Sequence, residues 1–162
     1  MSLLLESLNN YYTEEKLDIL IRLLNKSSIS LRVIDWFITN YSKKYNIEYE
    51  HNSKIINIYM SYKSLLKSYS KKFFDPFCRR DRINFKDSIS TTIGQLNFFK
   101  WAISNGIMDY VSENYQLIDN DMNESLTKKA YKTNHRKKRK ELSKSSYKTL
   151  TKKHNKIILT FD

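Results

Sequence analysis

The sequence predicts a mainly α-helical fold. Glycine occurs twice and proline once in 162 residues, so the tight turns that β-rich proteins need are scarce. Several segments repeat apolar side chains at the i, i+3, i+4, i+7 spacing of an amphipathic helix. The hydrophobic fraction of 40% is sufficient for a buried core. We therefore expect a compact multi-helix body of five to seven helices, a basic C-terminal extension and at most a minor β-sheet.

The first third of the chain predicts three helices. The first covers residues 2–8, and Thr13 is a suitable N-cap for the second, which continues with leucines and isoleucines at helical spacing. The third covers residues 30–44 and places an apolar and aromatic stripe towards the core. Residues 46–53 are predicted to form a loop, in which residues 47–49 have the composition of a short strand.

A long helix is predicted over residues 53–72, with a continuous apolar stripe. The stripe consists of Ile55, Ile58, Tyr59, Tyr62, Leu65, Leu66 and Tyr69. Asp75 and Pro76 then end this helix and begin another over residues 77–82, because Asp is a good N-cap and Pro suits the first helical position. A short extended piece follows at residues 83–85.

The next two helices have clear ends. Thr92 begins a T-x-x-Q capping box, which predicts a helix start. Gly106 ends that helix, because glycine adopts the left-handed conformation of a C-cap, and residues 107–114 form the next. The pair has the outline of a helix-turn-helix DNA-binding motif. However, its second helix contains Asp109 and Glu113 and lacks Lys and Arg, which favours a packing hairpin.

The positive charge is concentrated at one end of the chain. The formal charge is +12, and residues 124–162 hold thirteen Lys/Arg against three Asp/Glu, which leaves +2 for residues 1–123. Apolar residues are sparse over residues 119–156, which predicts a mobile or partner-ordered segment, and the acidic residues at its start are expected in a solvated loop. Residues 157–161 have the composition of a strand. We divide the chain into a helical body, 1–123, and a basic extension, 124–162.

This asymmetry favours a polyanionic partner, with nucleic acid ahead of an anionic lipid surface. One basic run has the composition of a nucleic-acid-binding patch, and the lysines after it recur at i, i+4. The predicted phosphate-binding residues of the extension are Arg136, Lys137, Lys138, Arg139, Lys140, Lys144, Lys148, Lys152 and Lys153. Because phosphate contacts carry no sequence information, we expect poor sequence selectivity.

A second candidate site is the aromatic and basic segment 70–82. Its arginines are suited to bidentate phosphate contacts and its phenylalanines to stacking on bases. The structural alternative is that the phenylalanines anchor the core while the arginines pair with neighbouring acids. The residues concerned are Lys71, Lys72, Arg79, Arg80, Arg82, Phe73, Phe74 and Phe77.

Catalytic and metal-binding patterns are missing from the sequence. A single cysteine, Cys78, excludes an internal disulfide framework and a cysteine-based zinc finger. The three histidines are widely spaced and none has metal-ligand spacing. Scarce glycine argues against a phosphate-binding loop or a nucleophile elbow. We therefore expect no enzyme activity, no metal and no cofactor. No apolar run approaches the roughly 20 residues of a membrane span, so we expect no membrane partner.

Three segments carry a resemblance to known proteins. They are SLRVIDWFITNY at residues 30–41, YSKKFFDPFCRR at 69–80 and TTIGQLNFFKWAI at 91–103. They resemble a family of small basic proteins of giant nucleocytoplasmic, mimivirus-like DNA viruses, and the similarity covers roughly residues 1–122. The resemblance implies a viral protein made in a cytoplasmic factory. It transfers no activity and no site residue.

Together these observations predict a non-enzymatic viral protein that binds DNA or RNA. The extension supplies the electrostatic affinity, and the arginines of segment 70–82 supply a second contact. The alternative is a protein–protein interaction or structural subunit of a virion or a viral multiprotein assembly. The expected location is the host cytoplasm, in the viral factory, or the virion, with the nucleus as the alternative compartment.

Overall fold

The computed structural model describes residues 3–25 and 29–134, and the side chains up to residue 128. The chain divides into two compact units, Met1–Leu126 and Thr127–Asp162. The described part of the second unit is the end of one helix. The predicted phosphate-binding residues of the extension and the predicted strand at 157–161 lie outside the described residues.

The predicted mainly α-helical fold is confirmed. The helices are α1 (Leu3–Tyr11), α2 (Glu14–Asn25), α3 (Leu31–Trp36), α4 (Ser42–Tyr45), α5 (Ile58–Phe73), α6 (Ile93–Ser104), α7 (Ile107–Glu113) and α8 (Tyr115–Asn134). A π-helical turn, Phe37–Tyr41, joins α3 to α4. The strands β1 (Glu48–His51) and β2 (Lys54–Asn57) form one antiparallel hairpin, and β3 (Ile83–Phe85) and β4 (Ile89–Thr91) form another.

Side-chain caps fix several of the helix ends. The Ser30 hydroxyl accepts the backbone N–H of Arg32 at the start of α3. The Thr92 hydroxyl accepts the N–H of Gln95 at the start of α6, as predicted. Gly106 has φ 65°, the left-handed conformation predicted for it, and stands between α6 and α7.

The predicted start of the long helix at residue 53 is wrong. Residues 54–57 form strand β2, which pairs with β1 through a turn at Asn52 and Ser53, both with positive φ. Ile55 is 79% exposed and does not line the core. Helix α5 begins only at Ile58, because the Asn57 side chain caps it by accepting the N–H of Met60.

The predicted helix over residues 77–82 is also wrong. Asp75 is buried, and its carboxylate accepts the backbone N–H of Phe77, two residues on. This bond closes a local turn, the alternative to helix capping that aspartate side chains offer. The same carboxylate binds the Arg79 side chain, so it is used to hold the turn together. The predicted strand at residues 83–85 is confirmed as β3.

The solvated loop predicted for the acidic residues after 118 is wrong as well, because α8 continues to Asn134. Asp121 on this helix is 9% exposed and accepts hydrogen bonds from Trp36 Nε1 (3.0 Å), the Tyr45 hydroxyl (3.3 Å) and Lys44 Nζ. Burial raises the pKa of Asp121, but the hydrogen bonds from Lys44 and Trp36 outweigh burial and hold it below its usual value. This network ties the start of α8 to α3 and α4.

Helix α6 lies at the centre of the core. Its buried residues are Gly94, Gln95, Leu96, Asn97, Phe98, Phe99, Trp101 and Ala102. The Tyr12 hydroxyl of the α1–α2 connection donates to the Leu96 carbonyl at 2.7 Å, inside the core. Because α6 is buried on nearly every side, it is a core helix. Side chains near its ends position the candidate site.

Candidate functional site

The positive charge of the body is concentrated in residues 63–82, which we call the basic segment. It holds seven of the sixteen Lys/Arg of residues 1–123 and two of the fourteen Asp/Glu, a formal charge of +5. The rest of residues 1–123 therefore carries nine Lys/Arg against twelve Asp/Glu, or −3. The basic segment runs from residue 63, within the first half of α5, to the residue before β3.

The three arginines of this segment have different environments. Arg79 donates from Nε and Nη2 to the Asp75 carboxylate at 3.0 and 2.9 Å, and its guanidinium lies 4.8 Å from the centre of the Phe77 ring. The hydrogen bond to Asp75 raises the pKa of Arg79 above its usual value. Arg79 thus already has an anionic partner, whereas Arg80 and Arg82 are exposed and form no ion pair with the described residues.

Arg80 and Lys72 meet at a small cavity of about 60 Å³. The other residues that line it are Phe73, Asp81, Thr92 and Ile93. Neither cation has an ion-pair partner among the described residues, and Lys71 beside them is exposed and has none either. The cavity is therefore bordered by cations available to an external anion, with one carboxylate at its edge.

Of the three phenylalanines of the segment, one anchors the core and two are half-buried. Phe74 is 2% exposed, and its ring centre lies 5.4 Å from that of Phe98 and 5.5 Å from that of Trp101. Phe74 is therefore a core anchor, as the structural alternative predicts, and its ring is not available to stack on a base. Phe73 and Phe77 are half-buried, and each has a cation over its ring.

Three hydrogen bonds fix the basic segment to α6. They run from the Asp75 N–H to the Gly94 carbonyl (3.2 Å), from Gln95 Nε2 to the Pro76 carbonyl (2.8 Å) and from Asn97 Nδ2 to the Phe73 carbonyl (2.9 Å). The backbones also approach closely, since a Cβ on Gly94 would lie 3.0 Å from the Lys72 carbonyl oxygen. The predicted capping box is consequently half formed, because the Gln95 side chain binds this segment and the Thr91 hydroxyl.

Ser70, which directly precedes the exposed Lys71 and Lys72, has a strained backbone conformation. Ser70 has φ 57° and ψ 171°, a conformation that glycine adopts readily and other residues at a cost of about 1–3 kcal/mol. It interrupts the helical geometry of α5 between Tyr69 and Lys71. The serine hydroxyl accepts the N–H of Lys72 and supports this bend. No sequence signal distinguishes Ser70 from the other serines of the chain.

Asp35 of α3 faces the same cluster of charges. Burial raises the pKa of Asp35, and the nearby Asp75 raises it further, while Arg79 and Lys71 act in the opposite direction. The carboxylate accepts no hydrogen bond from the described side chains. Its negative charge therefore destabilises the folded protein at neutral pH.

We expect Asp35→Asn to raise the melting temperature at pH 7. The native protein binds the Asp35 proton more tightly than the unfolded chain, so stability falls as the pH rises from about 4 through the native pKa. The gain from the substitution should shrink below pH 4, where both states are protonated. Thermal unfolding at pH 7 and pH 3.5 measures it, with the exposed Asp18→Asn as the control. A lower melting temperature of Asp35→Asn at pH 7 would contradict this account.

Three further features of the described residues concern metal binding, the thiol and the membrane. Among the described residues, no three His, Cys, Asp or Glu side chains come together to hold a metal ion. Cys78 is a free thiol and is half-buried. No described helix has both the length and the apolar character needed to cross a membrane.

Comparison with known proteins identifies the family. The model of a family of unknown function (DUF7197) matches residues 2–162. The chain is 44% identical over 123 residues to "Uncharacterized protein L507" of Acanthamoeba polyphaga mimivirus. The aligned region covers 67% of this chain and 48% of that protein. The chain thus spans about half the length of this relative. No solved structure matches the chain. The predicted resemblance to a giant-virus family is confirmed, and the chain belongs to the DUF7197 family.

Proposed function

We propose that this protein binds viral nucleic acid without a catalytic step. One observation carries the proposal, namely the distribution of charge. Residues 124–162 have a formal charge of +10 and the basic segment has +5, whereas the rest of the chain has −3. Nucleic acid is the polyanion such a distribution suits, because neutralising its phosphates releases condensed counterions and so favours binding.

The two basic regions have different roles in this proposal. The extension supplies most of the electrostatic affinity. The basic segment adds a contact of fixed geometry, because its backbone is hydrogen-bonded to the buried helix α6. Lys72 and Arg80 beside the cavity contact a phosphate, and Lys71 and Arg82 contact its neighbours. Such contacts position the protein on nucleic acid and do not read its sequence.

We expect the basic segment to contribute measurably to affinity in the full-length protein. Replacing Lys71, Lys72, Arg80 and Arg82 by Gln should make the plot of log affinity against log salt shallower by about 3 for a single strand. At 0.1 M salt the affinity should fall by on the order of 10²-fold or more. Fluorescence anisotropy of a labelled oligonucleotide measures both quantities.

The matched control removes the same charge from exposed positions elsewhere in the body. It replaces Arg22, Arg32, Lys43 and Lys54 by Gln. This variant should retain the affinity and the salt dependence of the wild type. Equal losses in both variants would show that net charge acts without a site. No loss in the first variant would remove the basic segment from the interface.

An interaction or structural subunit of a virion or viral assembly is the second candidate. Two apolar side chains favour it, since Ile55 is 79% and Met60 is 64% exposed. Among the described aromatic side chains, Tyr45 is the most exposed, at 51%, so aromatic surface adds little to this candidate. Under either candidate we place the protein in the viral factory of the host cytoplasm or in the virion. Failure to bind nucleic acid at low salt would favour the second.

A further inference from the structure

A cleft of about 250 Å³ lies between α1, α5 and α6. The exposed surface of its walls is more apolar than polar, although Ser7, Asn97, Lys100, Ser104 and Asn105 also line it. The residues that matter for its chemistry are Leu65, Tyr69, Phe74, Asn97, Lys100 and Trp101. The volume is below the roughly 300–1,000 Å³ that is usual for drug-sized ligands, so the cleft suits a single small ring system.

Asn97 gives the cleft a hydrogen-bonding group. It is 6% exposed, and its Nδ2 donates to the Phe73 carbonyl at 2.9 Å. Its Oδ1 accepts no hydrogen bond from the described residues. In the described part, every fully buried side-chain oxygen or nitrogen has a hydrogen-bond partner. Oδ1 is therefore not completely enclosed, and because Asn97 lines the cleft, we take the cleft as the side from which a ligand approaches it. This oxygen can accept a hydrogen bond from a ring N–H or an exocyclic amine.

The aromatic walls are held in place. Trp101 is 8% exposed and its Nε1 donates to the Ser61 hydroxyl at 3.0 Å, which fixes the orientation of the indole. Tyr69 stacks against Phe74 with ring centres 6.4 Å apart. Lys100 also lines the cleft, and its Nζ donates to the Ser7 hydroxyl at 2.8 Å. An incoming planar group would meet a preorganised apolar surface beside an ammonium group.

The cation-bordered cavity and the cleft share no lining residue, but both border one stripe of α6. Ile93 lines the cavity, and Asn97 and Ser104 line the cleft, at i, i+4 and i+11 on the helix. Ile93 and Asn97 are about 6 Å apart along the helix axis, and Ile93 and Ser104 about 16 Å. On the other side, Tyr69 precedes the strained Ser70 and the exposed lysines. Anion-binding and ring-binding groups therefore follow one another over a short distance.

We propose that the cleft takes up one unpaired base of a single-stranded nucleic acid whose phosphates lie on Lys71, Lys72 and Arg80. A base has apolar faces for Tyr69 and Trp101 and donors on its edge for Asn97. The proposal rests on the nucleic-acid-binding function proposed above and adds to it that the ligand is single-stranded. A base in a duplex is stacked and paired, so it cannot enter.

The test uses the full-length protein and three labelled ligands. They are an oligothymidylate of about 12 nucleotides, a strand of the same length in which the bases are replaced by abasic sites, and a duplex of the same length. The abasic strand keeps the phosphates and loses the rings. We expect the oligothymidylate to bind roughly tenfold more tightly than the abasic strand, because stacking on aromatic side chains contributes about 1–3 kcal/mol per base.

Substitution then places the effect in the cleft. Tyr69→Leu should remove most of the preference for the oligothymidylate and leave abasic-strand binding unchanged. Tyr59→Leu is the matched control, because Tyr59 is a half-buried tyrosine of the same helix outside the cleft, and it should change neither. The wild-type comparison of the two strands needs no variant, so it stands even if Tyr69→Leu fails to fold.

The outcomes separate this inference from the function on which it rests. Equal affinity for the oligothymidylate and the abasic strand would overturn the base-binding cleft and leave nucleic-acid binding intact. A preference that Tyr69→Leu leaves unchanged would also overturn it, since the rings would then bind elsewhere. Failure to bind any of the three ligands at low salt would overturn the proposed function and this inference together.

Discussion

Phe74→Ala is expected to lower the free energy of unfolding by about 3–5 kcal/mol. Phe74 is 2% exposed, and its ring packs between α5 and α6 against Tyr62, Phe98 and Trp101 at centre-to-centre distances of 6.0, 5.4 and 5.5 Å. Truncation removes the transfer free energy of the ring and leaves a cavity that these large neighbours can only partly fill. Urea denaturation of the variant and the wild type measures the difference.

Phe77→Ala is the matched control for this substitution. Phe77 has the same side chain in the same segment but is half-buried, with its ring under the Arg79 guanidinium. We expect a loss of about 1 kcal/mol for it. If Phe74→Ala is no more destabilising than Phe77→Ala, the Phe74 ring does not belong to the buried core between α5 and α6.

Neutralising four cations of the extension is the second change with a large expected effect. Replacing Arg136, Lys137, Lys138 and Arg139 by Gln in the full-length protein should remove about four phosphate contacts. Affinity for nucleic acid at 0.1 M salt should then fall by roughly 10³-fold, and the salt dependence should become shallower by about 3. Anisotropy titrations across a salt series measure both.

The control for this variant removes four cations from the body outside the basic segment, at Arg22, Arg32, Lys43 and Lys54. It should bind as the wild type does. An unchanged salt dependence after neutralising the extension would place the phosphate contacts elsewhere. If affinity is also unchanged, the extension is not part of the interface.

The sequence predicts those parts of the fold that local chemistry determines. Thr92 caps α6 and Gly106 ends it, because a hydroxyl acceptor and a residue with positive φ have few alternatives there. The errors occur where one residue type has two local uses. Asp75 is suited both to a helix N-cap and to a turn, and the neighbouring Arg79 stabilises the turn. Residues 54–57 fit a helical or an extended pattern equally well.

The candidate site is predictable in outline and not in its details. Composition finds the cations of residues 70–82 but cannot tell Arg79, which is paired with Asp75, from the unpaired Arg80. The cleft is missed because its walls come from three helices distant in sequence. One signal could have pointed to it, namely the polar Asn97 within an otherwise apolar stretch of α6.

The central claim is that this protein binds nucleic acid through its clustered cations. The most direct test measures the affinity of the full-length protein for labelled single strands and duplexes of DNA and RNA between 50 and 200 mM salt. We predict tight binding at low salt and a loss of affinity of roughly 10³–10⁵-fold across this range, the response of about six to ten phosphate contacts. No binding at 50 mM salt, or binding that does not weaken as salt rises, would contradict the claim.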